Sequence, residues 1–202
     1  MNTNIFEKYQ KYILAFRLSG KKYFTLWGAD LSDESQPDKY LCNKTGKLIV
    51  FKNISEISDK IKSYKENYFD KSNFSKFSSE VTKLEKERLK IYTVNIDFIL
   101  DELYKMKFTD EFLKNEKFFN EFVDLMNLMG DYAAQFKDAA LAKELWDKDF
   151  SNLLEHFYDL FLWKDPNYNY KNPRIKQTTL SKDKVVYKFE LLLLNFSNKL
   201  LL

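Results

Sequence analysis

The sequence predicts an α+β fold: a small N-terminal antiparallel sheet with one helix, followed by a mainly α-helical bundle. Residues 12–28 have the pattern of a β-hairpin, and apolar residues after residue 79 recur with helical spacing. The chain has 202 residues but only 4 Gly and 3 Pro, too few for a turn-dense β-sandwich. We expect a single domain over residues 1–202, with a hairpin, strand and helix subregion at 1–67 and a helical subregion at 79–202.

The predicted sheet begins with two β-prone segments, residues 12–18 and 23–27, separated by the turn signal Ser19-Gly20. Residues 28–46 are polar and predict a loop, and residues 48–51 predict a short third strand. A helix then follows, because Asn53 and Glu56 have the spacing of a capping box. Its apolar face is formed by Ile54, Ile57, Ile61 and Tyr64.

The second half of the sequence predicts a series of helices. Residues 65–78 are predicted as a loop, and the helical pattern starts near Ser79, although a strand over residues 89–96 stays open. Further along, the sequence favours an N-cap at Thr109 and an apolar helix face over 118–129 that ends or kinks at Gly130. One regular helix is then predicted over 131–163 and stops before Pro166. A loop over 164–180 follows, and Ser181 caps a final helix whose apolar positions run to Leu200.

Composition limits where the protein acts. One cysteine excludes an internal disulfide, the first ten residues contain no apolar run, and no segment has the roughly 18 apolar residues that span a bilayer. We therefore expect a cytoplasmic protein without a membrane partner.

The net charge of +3 conceals an acidic block, residues 95–163 with net −8, between basic segments at 39–94 and 164–202.

No catalytic pattern is visible in the sequence. His156 is the only histidine and Cys42 the only cysteine, so no metal site of zinc spacing is possible, and four scattered glycines exclude phosphate-binding loops. We expect no enzyme activity and no cofactor or small-molecule substrate. A Ser–His–Asp arrangement around His156 stays open as the least favoured alternative.

Two sets of carboxylates are candidate partner-binding residues, because charges of one sign on a surface attract a partner of the opposite sign. The alternative for both sets is an ordinary solvated surface. A calcium site fits the first set poorly, since its ligand spacing is missing. The first set lies in the predicted loop and comprises Asp30, Asp33, Glu34 and Asp38, and the second lies on the polar face of the predicted helix and comprises Glu144, Asp147, Glu155 and Asp159.

Five segments carry a resemblance to a known class of proteins. The order of residues 16–18, 23–27 and 48–51 ahead of a helix resembles small bacterial immunity proteins. Residues 124–133 and 157–163 resemble two helices in immunity proteins of contact-dependent growth inhibition and related polymorphic toxin systems.

The resemblance implies a cytoplasmic inhibitor that binds the C-terminal domain of one cognate toxin, often a nuclease. It also implies that Asn127 and Asp131 are structural polar groups. An inhibitor that presents carboxylates to a cationic nuclease cleft would imitate the phosphates of the substrate.

A second hypothesis is a nucleic-acid-associated or regulatory protein that uses the basic segments 39–94 and 164–202. Within the latter, Tyr168, Tyr170, Lys171 and Arg174 interleave aromatic and basic side chains. Only 3 of the 33 basic residues are Arg, which disfavours nucleic acid as the partner.

Overall fold

The chain has an α+β fold, as predicted from the sequence, in a computed structural model that describes residues 4–64, 70–84, 88–105, 114–163 and 182–201. Two compact units divide it: residues 1–94 with 134–137 and 198–202, and residues 95–133 with 138–197. The first unit thus extends beyond the 1–67 subregion, to Val94. No helix in the described ranges is long and apolar enough to cross a membrane.

The first unit is built around a four-stranded sheet of order β3-β2-β1-β5. Its hairpin confirms the prediction: strands β1 and β2 pair antiparallel around a two-residue turn in which Ser19 and Gly20 both have positive φ, as a tight hairpin turn requires. The strands are β1 (Lys11–Leu18), β2 (Lys21–Ala29), β3 (Asp38–Tyr40) and β5 (Ile91–Asn95), and a separate parallel pair joins β4 (Leu48–Ile49) to β6 (Leu200–Leu201).

Three short helices pack with this sheet: α1 (Ile5–Tyr9), α2 (Ile54–Lys60), which continues as a 3₁₀ turn over Ile61–Tyr64, and α3 (Lys71–Val81). The predicted cap of α2 is confirmed, since the Asn53 side chain accepts the Glu56 N–H at 3.0 Å. The shared core is aromatic and aliphatic, with Phe6, Ile13, Phe24, Phe51, Phe74 and Phe77 among its buried members.

Two contacts constrain this sheet, one at an inner strand and one at its edge. Gly28 has φ +155°, and a Cβ at this position would lie 2.1 Å from the Gln10 carbonyl oxygen, so the close approach of the chains requires glycine. At β3, the Gln135 side-chain amide accepts the Tyr40 N–H at 2.8 Å and donates to the Tyr40 carbonyl at 3.1 Å. This side chain therefore satisfies edge groups that another strand would otherwise pair.

The second unit is helical: α4 (Ile96–Lys105), α5 (Glu116–Phe136, whose last residues belong to the first unit), α6 (Ala139–Leu145), α7 (Lys148–Phe157) with a π-helical segment over Tyr158–Leu162, and α8 (Lys182–Ser197). Phenylalanine rings fill its core. The Phe118 and Phe122 rings stack with centroids 5.4 Å apart, and Phe189 lies 5.8 Å from Phe122.

Several sequence predictions were wrong. Residues 28–46 are not all loop, because they contain β3, and residues 48–51 do not form the third strand of the hairpin sheet, since β4 pairs with β6. Helix α3 covers much of the predicted loop 65–78, α5 continues through Gly130, and Leu200 lies in β6 rather than in the last helix. The open strand at 89–96 exists as β5. The predictions at Thr109, Pro166, residues 168–174 and Ser181 fall outside the described residues.

Candidate protein-binding surface

Asp30 belongs to the interior of the first unit rather than to an exposed acidic loop. Its residue is 6% exposed. One carboxylate oxygen accepts the Ser32 N–H and hydroxyl, and the other lies 2.6 Å from the Lys39 ammonium. Burial acts to raise the pKa of Asp30, but the hydrogen bonds from Lys39 and Ser32 outweigh burial and hold the pKa below its ordinary value. This carboxylate is neutralised internally.

The other three carboxylates of the first set differ in their surroundings. Asp33 accepts the Ser35 N–H and hydroxyl, which lower its pKa and fold the turn. Asp38 is half-buried at the start of β3, where burial raises its pKa against the attraction of Lys11. Glu34 is exposed, and no hydrogen bond or ion pair engages it in the described part of the chain. Of this set, Glu34 is the member that is both exposed and without such a contact.

The second acidic set does not lie on one helix face. The predicted helix over 131–163 is interrupted between α6 and α7, where Trp146 is the C-cap of α6 and Asp147 is the N-cap of α7. Asp147 therefore has a structural role: its side chain accepts the Asp149 N–H at 2.9 Å. This break falls within the acidic stripe predicted from the sequence, so the members of the set do not share one continuous helix.

Lys188 on α8 neutralises the start of α7. Its ammonium lies 2.6 Å from carboxylate oxygens of both Asp147 and Asp149. Burial acts to raise the pKa of Asp147, but the hydrogen bonds from Lys188 and the Asp149 N–H lower it below its ordinary value. Glu144 is also engaged, since it accepts a hydrogen bond from the Asn195 amide at 3.1 Å.

Asp159 is half-buried in the π-helical segment, whereas Glu155 is exposed. Within the described residues the Glu155 carboxylate has no hydrogen bond and no ion pair. Glu155 is therefore the available carboxylate of the second set.

Glu155 borders an apolar cleft in the second unit. The cleft has a volume of about 190 Å³ and lies among residues of α5, α6, α7 and the π-helical segment. Trp146 lines it with 64% of the residue exposed. This exposure is unexpected, because Trp146 has helical spacing with Phe150, Leu153 and Phe157 in the sequence, a pattern typical of a core face. The lining consists of Met126, Asn127, Leu145, Trp146, Ser151, Leu154, Glu155 and Tyr158. An exposed tryptophan beside a small apolar recess is a feature of protein-binding surfaces.

The position of Trp146 follows from the local backbone. As the C-cap it has φ −95° and ψ 25°, outside the helical range, and its carbonyl lies 3.5 Å from the Ser151 hydroxyl. The sequence contained a signal for this break, because Asp147 followed by Lys148-Asp149-Phe150 has the form of a helix start. Asn127, a structural group according to the resemblance, is exposed and lines the same cleft.

The described residues include no candidate metal site. No group of three or more His, Cys, Asp or Glu side chains in the described ranges could hold a metal ion. Cys42 is fully buried, and burial raises the pKa of its thiol, which keeps the thiol protonated and inert. The His156 side chain lies outside the description.

Comparison with known proteins gives information on the fold. No family model matches the chain, and no curated protein matches it in sequence. The crystal structure of the C-terminal domain of SatS in complex with bromine is similar, with a TM-score of 0.57 and 12% identity over 99% of this chain and 97% of that chain. At this identity the similarity shows a shared α+β fold and leaves the function to be argued from the surface.

Proposed function

We propose that the chain is an immunity-type inhibitor, which acts in the cytoplasm by binding the C-terminal domain of one cognate nuclease toxin. The observation that carries this proposal is the exposed Trp146 beside an apolar cleft bordered by the unpaired carboxylate of Glu155. The inhibitor acts by contact, without chemistry of its own.

Trp146 supplies the binding energy in this proposal. Tryptophan is enriched among interface residues that contribute most to affinity, because a large rigid ring buries much area at low entropic cost. With 64% of the residue exposed, most of that area is available. The recess beside the ring, lined by Met126, Leu145 and Leu154, offers apolar contacts to an aliphatic or aromatic side chain of the partner.

Charge supplies the specificity. Residues 95–163 carry net −8, and a nuclease presents a cationic surface to the phosphates of its substrate. Opposite charges speed the encounter, and like charges disfavour acidic partners. Glu155 places a free carboxylate next to the apolar contact, where it would pair with a lysine or arginine of the toxin.

The test uses the toxin domain encoded beside this chain in its genome, with binding measured by surface plasmon resonance. Trp146→Ala is expected to raise Kd by about 30-fold, the effect of losing about 2 kcal/mol at a contact that dominates affinity. Glu155→Lys is expected to slow association several-fold at low salt, with a smaller effect at high salt.

Two exposed residues outside the cleft provide matched controls. Trp163 is 70% exposed, so Trp163→Ala should change Kd less than twofold, and Glu116→Lys makes the same charge change as Glu155→Lys on an exposed site of α5. Equal effects of cleft and control variants would refute this surface as the contact. Failure of the wild-type chain to bind the toxin or to protect cells from it would refute the inhibitor itself.

A further inference from the structure

A second concave surface lies in the first unit, at the turn end of the hairpin. It has a volume of about 510 Å³ and is lined by Lys21, Lys22, Tyr23 and Lys52. The three lysines are exposed. We call this group the lysine cleft. None of its residues lines the cleft at Trp146 that we propose binds a toxin.

The backbone brings these residues together from two parts of the sequence. Phe24 and Phe51 form an antiparallel bridge, with N–H to carbonyl distances of 2.9 and 2.7 Å in the two directions. The residues that flank this bridge, Tyr23 and Lys52, are thereby held side by side. Both bridge residues are buried in the core, so the position of the cleft is fixed by packing.

The local charge is strongly positive. Three lysines line the cleft, and Arg17 lies directly opposite Lys22 in the hairpin register. The Glu56 carboxylate near this end is already engaged, since it accepts the Lys52 backbone N–H at 3.0 Å and lies 4.0 Å from Lys60. The lining of the cleft contains no carboxylate.

We propose that the lysine cleft binds the phosphate backbone of single-stranded nucleic acid, with Tyr23 as a stacking surface for a base. Lysine ammoniums bind phosphates as point charges, and an adjacent aromatic ring is the usual partner of an unpaired base. The cleft is open and has four lining residues, so it cannot enclose a small ligand as a typical pocket does. Three of its four lining residues are lysines, which are depleted at the core of protein–protein interfaces.

The test measures fluorescence anisotropy of a labelled oligothymidylate of about 12 nucleotides, a length within the usual site size. Three phosphate contacts give a slope of log K against log salt of about −2, which means a roughly 20-fold loss of affinity between 50 and 200 mM salt. The variant with Lys21, Lys22 and Lys52 all changed to Gln should lose at least 10-fold in affinity at low salt and most of this slope.

The control variant changes Lys44, Lys47 and Lys76 to Gln, which removes the same charge from exposed positions elsewhere in the first unit. Its affinity should fall less than threefold. Tyr23→Leu should weaken oligothymidylate binding several-fold with an unchanged salt slope, and should leave binding of inorganic polyphosphate unaffected. Far-UV circular dichroism of each variant confirms that the fold is retained.

Three results would overturn the proposal. The first is equal loss in the cleft and control variants, which would mean diffuse attraction. The second is competition by polyphosphate at equal charge together with no effect of Tyr23→Leu, which would mean a general polyanion surface. The third is tighter binding of a polyglutamate peptide than of the oligonucleotide, which would mean an acidic protein partner.

Discussion

Removal of the Asp147 side chain tests whether this carboxylate holds the fold or meets a partner. In Asp147→Ala, helix α7 loses its N-cap, which costs about 1 kcal/mol. The variant also loses the ion pair with Lys188. Because the Lys188 and Asp147 side chains are 33% and 31% exposed, this loss costs about another 0.5–1 kcal/mol. We expect the free energy of unfolding to fall by about 2 kcal/mol.

Asp147→Asn is the matched control, because its amide oxygen still accepts the Asp149 N–H while the charge is gone. This variant should lose about half as much stability. Urea unfolding followed by far-UV circular dichroism measures both, and Lys188→Met completes a double-mutant cycle. Asp147→Ala within 0.5 kcal/mol of the wild type would refute the reasoning and return Asp147 to the candidate contact residues.

The same pair of variants gives a pH dependence. Because the folded-state pKa of Asp147 lies below the ordinary value of 3.8, its charge contributes full stability above that value, and the contribution is lost as the pH falls through the lower folded pKa. The stability difference between the wild type and Asp147→Asn should therefore be constant from pH 7 to about 5 and vanish under strongly acidic conditions. A difference that grows on acidification would contradict the ion pair.

Three further variants test the first unit. Gly28→Ala should cost about 3 kcal/mol or more in urea unfolding, because its Cβ would lie 2.1 Å from the Gln10 carbonyl oxygen. Burial lowers the pKa of Lys11 in the folded state below its ordinary value of 10.5. The free energy of unfolding of the wild type should therefore rise as the pH rises from the folded pKa toward 10.5. Lys11→Met should remove this rise in urea unfolding measured at a series of pH values above about 8. Gln135→Ala should cost about 2 kcal/mol and speed amide hydrogen exchange at Tyr40, whose N–H loses its acceptor.

Local patterns in the sequence predicted the elements that depend on local interactions. The hairpin follows from alternation around Ser19-Gly20, and the start of α2 follows from Asn53 and Glu56. Pairings between distant residues carried no such signal. Strand β4 has two residues and pairs with β6 some 150 positions later, so neither strand is long enough for a period to be recognised.

The candidate surface was predicted in part. Glu155 was identified and is exposed. The break between α6 and α7 was missed, because helical apolar spacing continues across it in Trp146, Phe150, Leu153 and Phe157. The spacing survives because Phe150, Leu153 and Phe157 are all buried, while Trp146 is not. Pairs such as Asp30 with Lys39 depend on the turn between them, whose geometry the composition of the loop does not specify.

The parallel pair of β4 and β6 determines when the first unit can be completed. Leu48 donates its N–H to the Lys199 carbonyl, so residues made early during synthesis wait for residues made near position 200. While the ribosome translates the helical unit, Leu48 and Ile49, which are buried in the finished fold, lack their β6 partners. A pairing between residues so far apart in sequence slows folding relative to a helical bundle with local contacts.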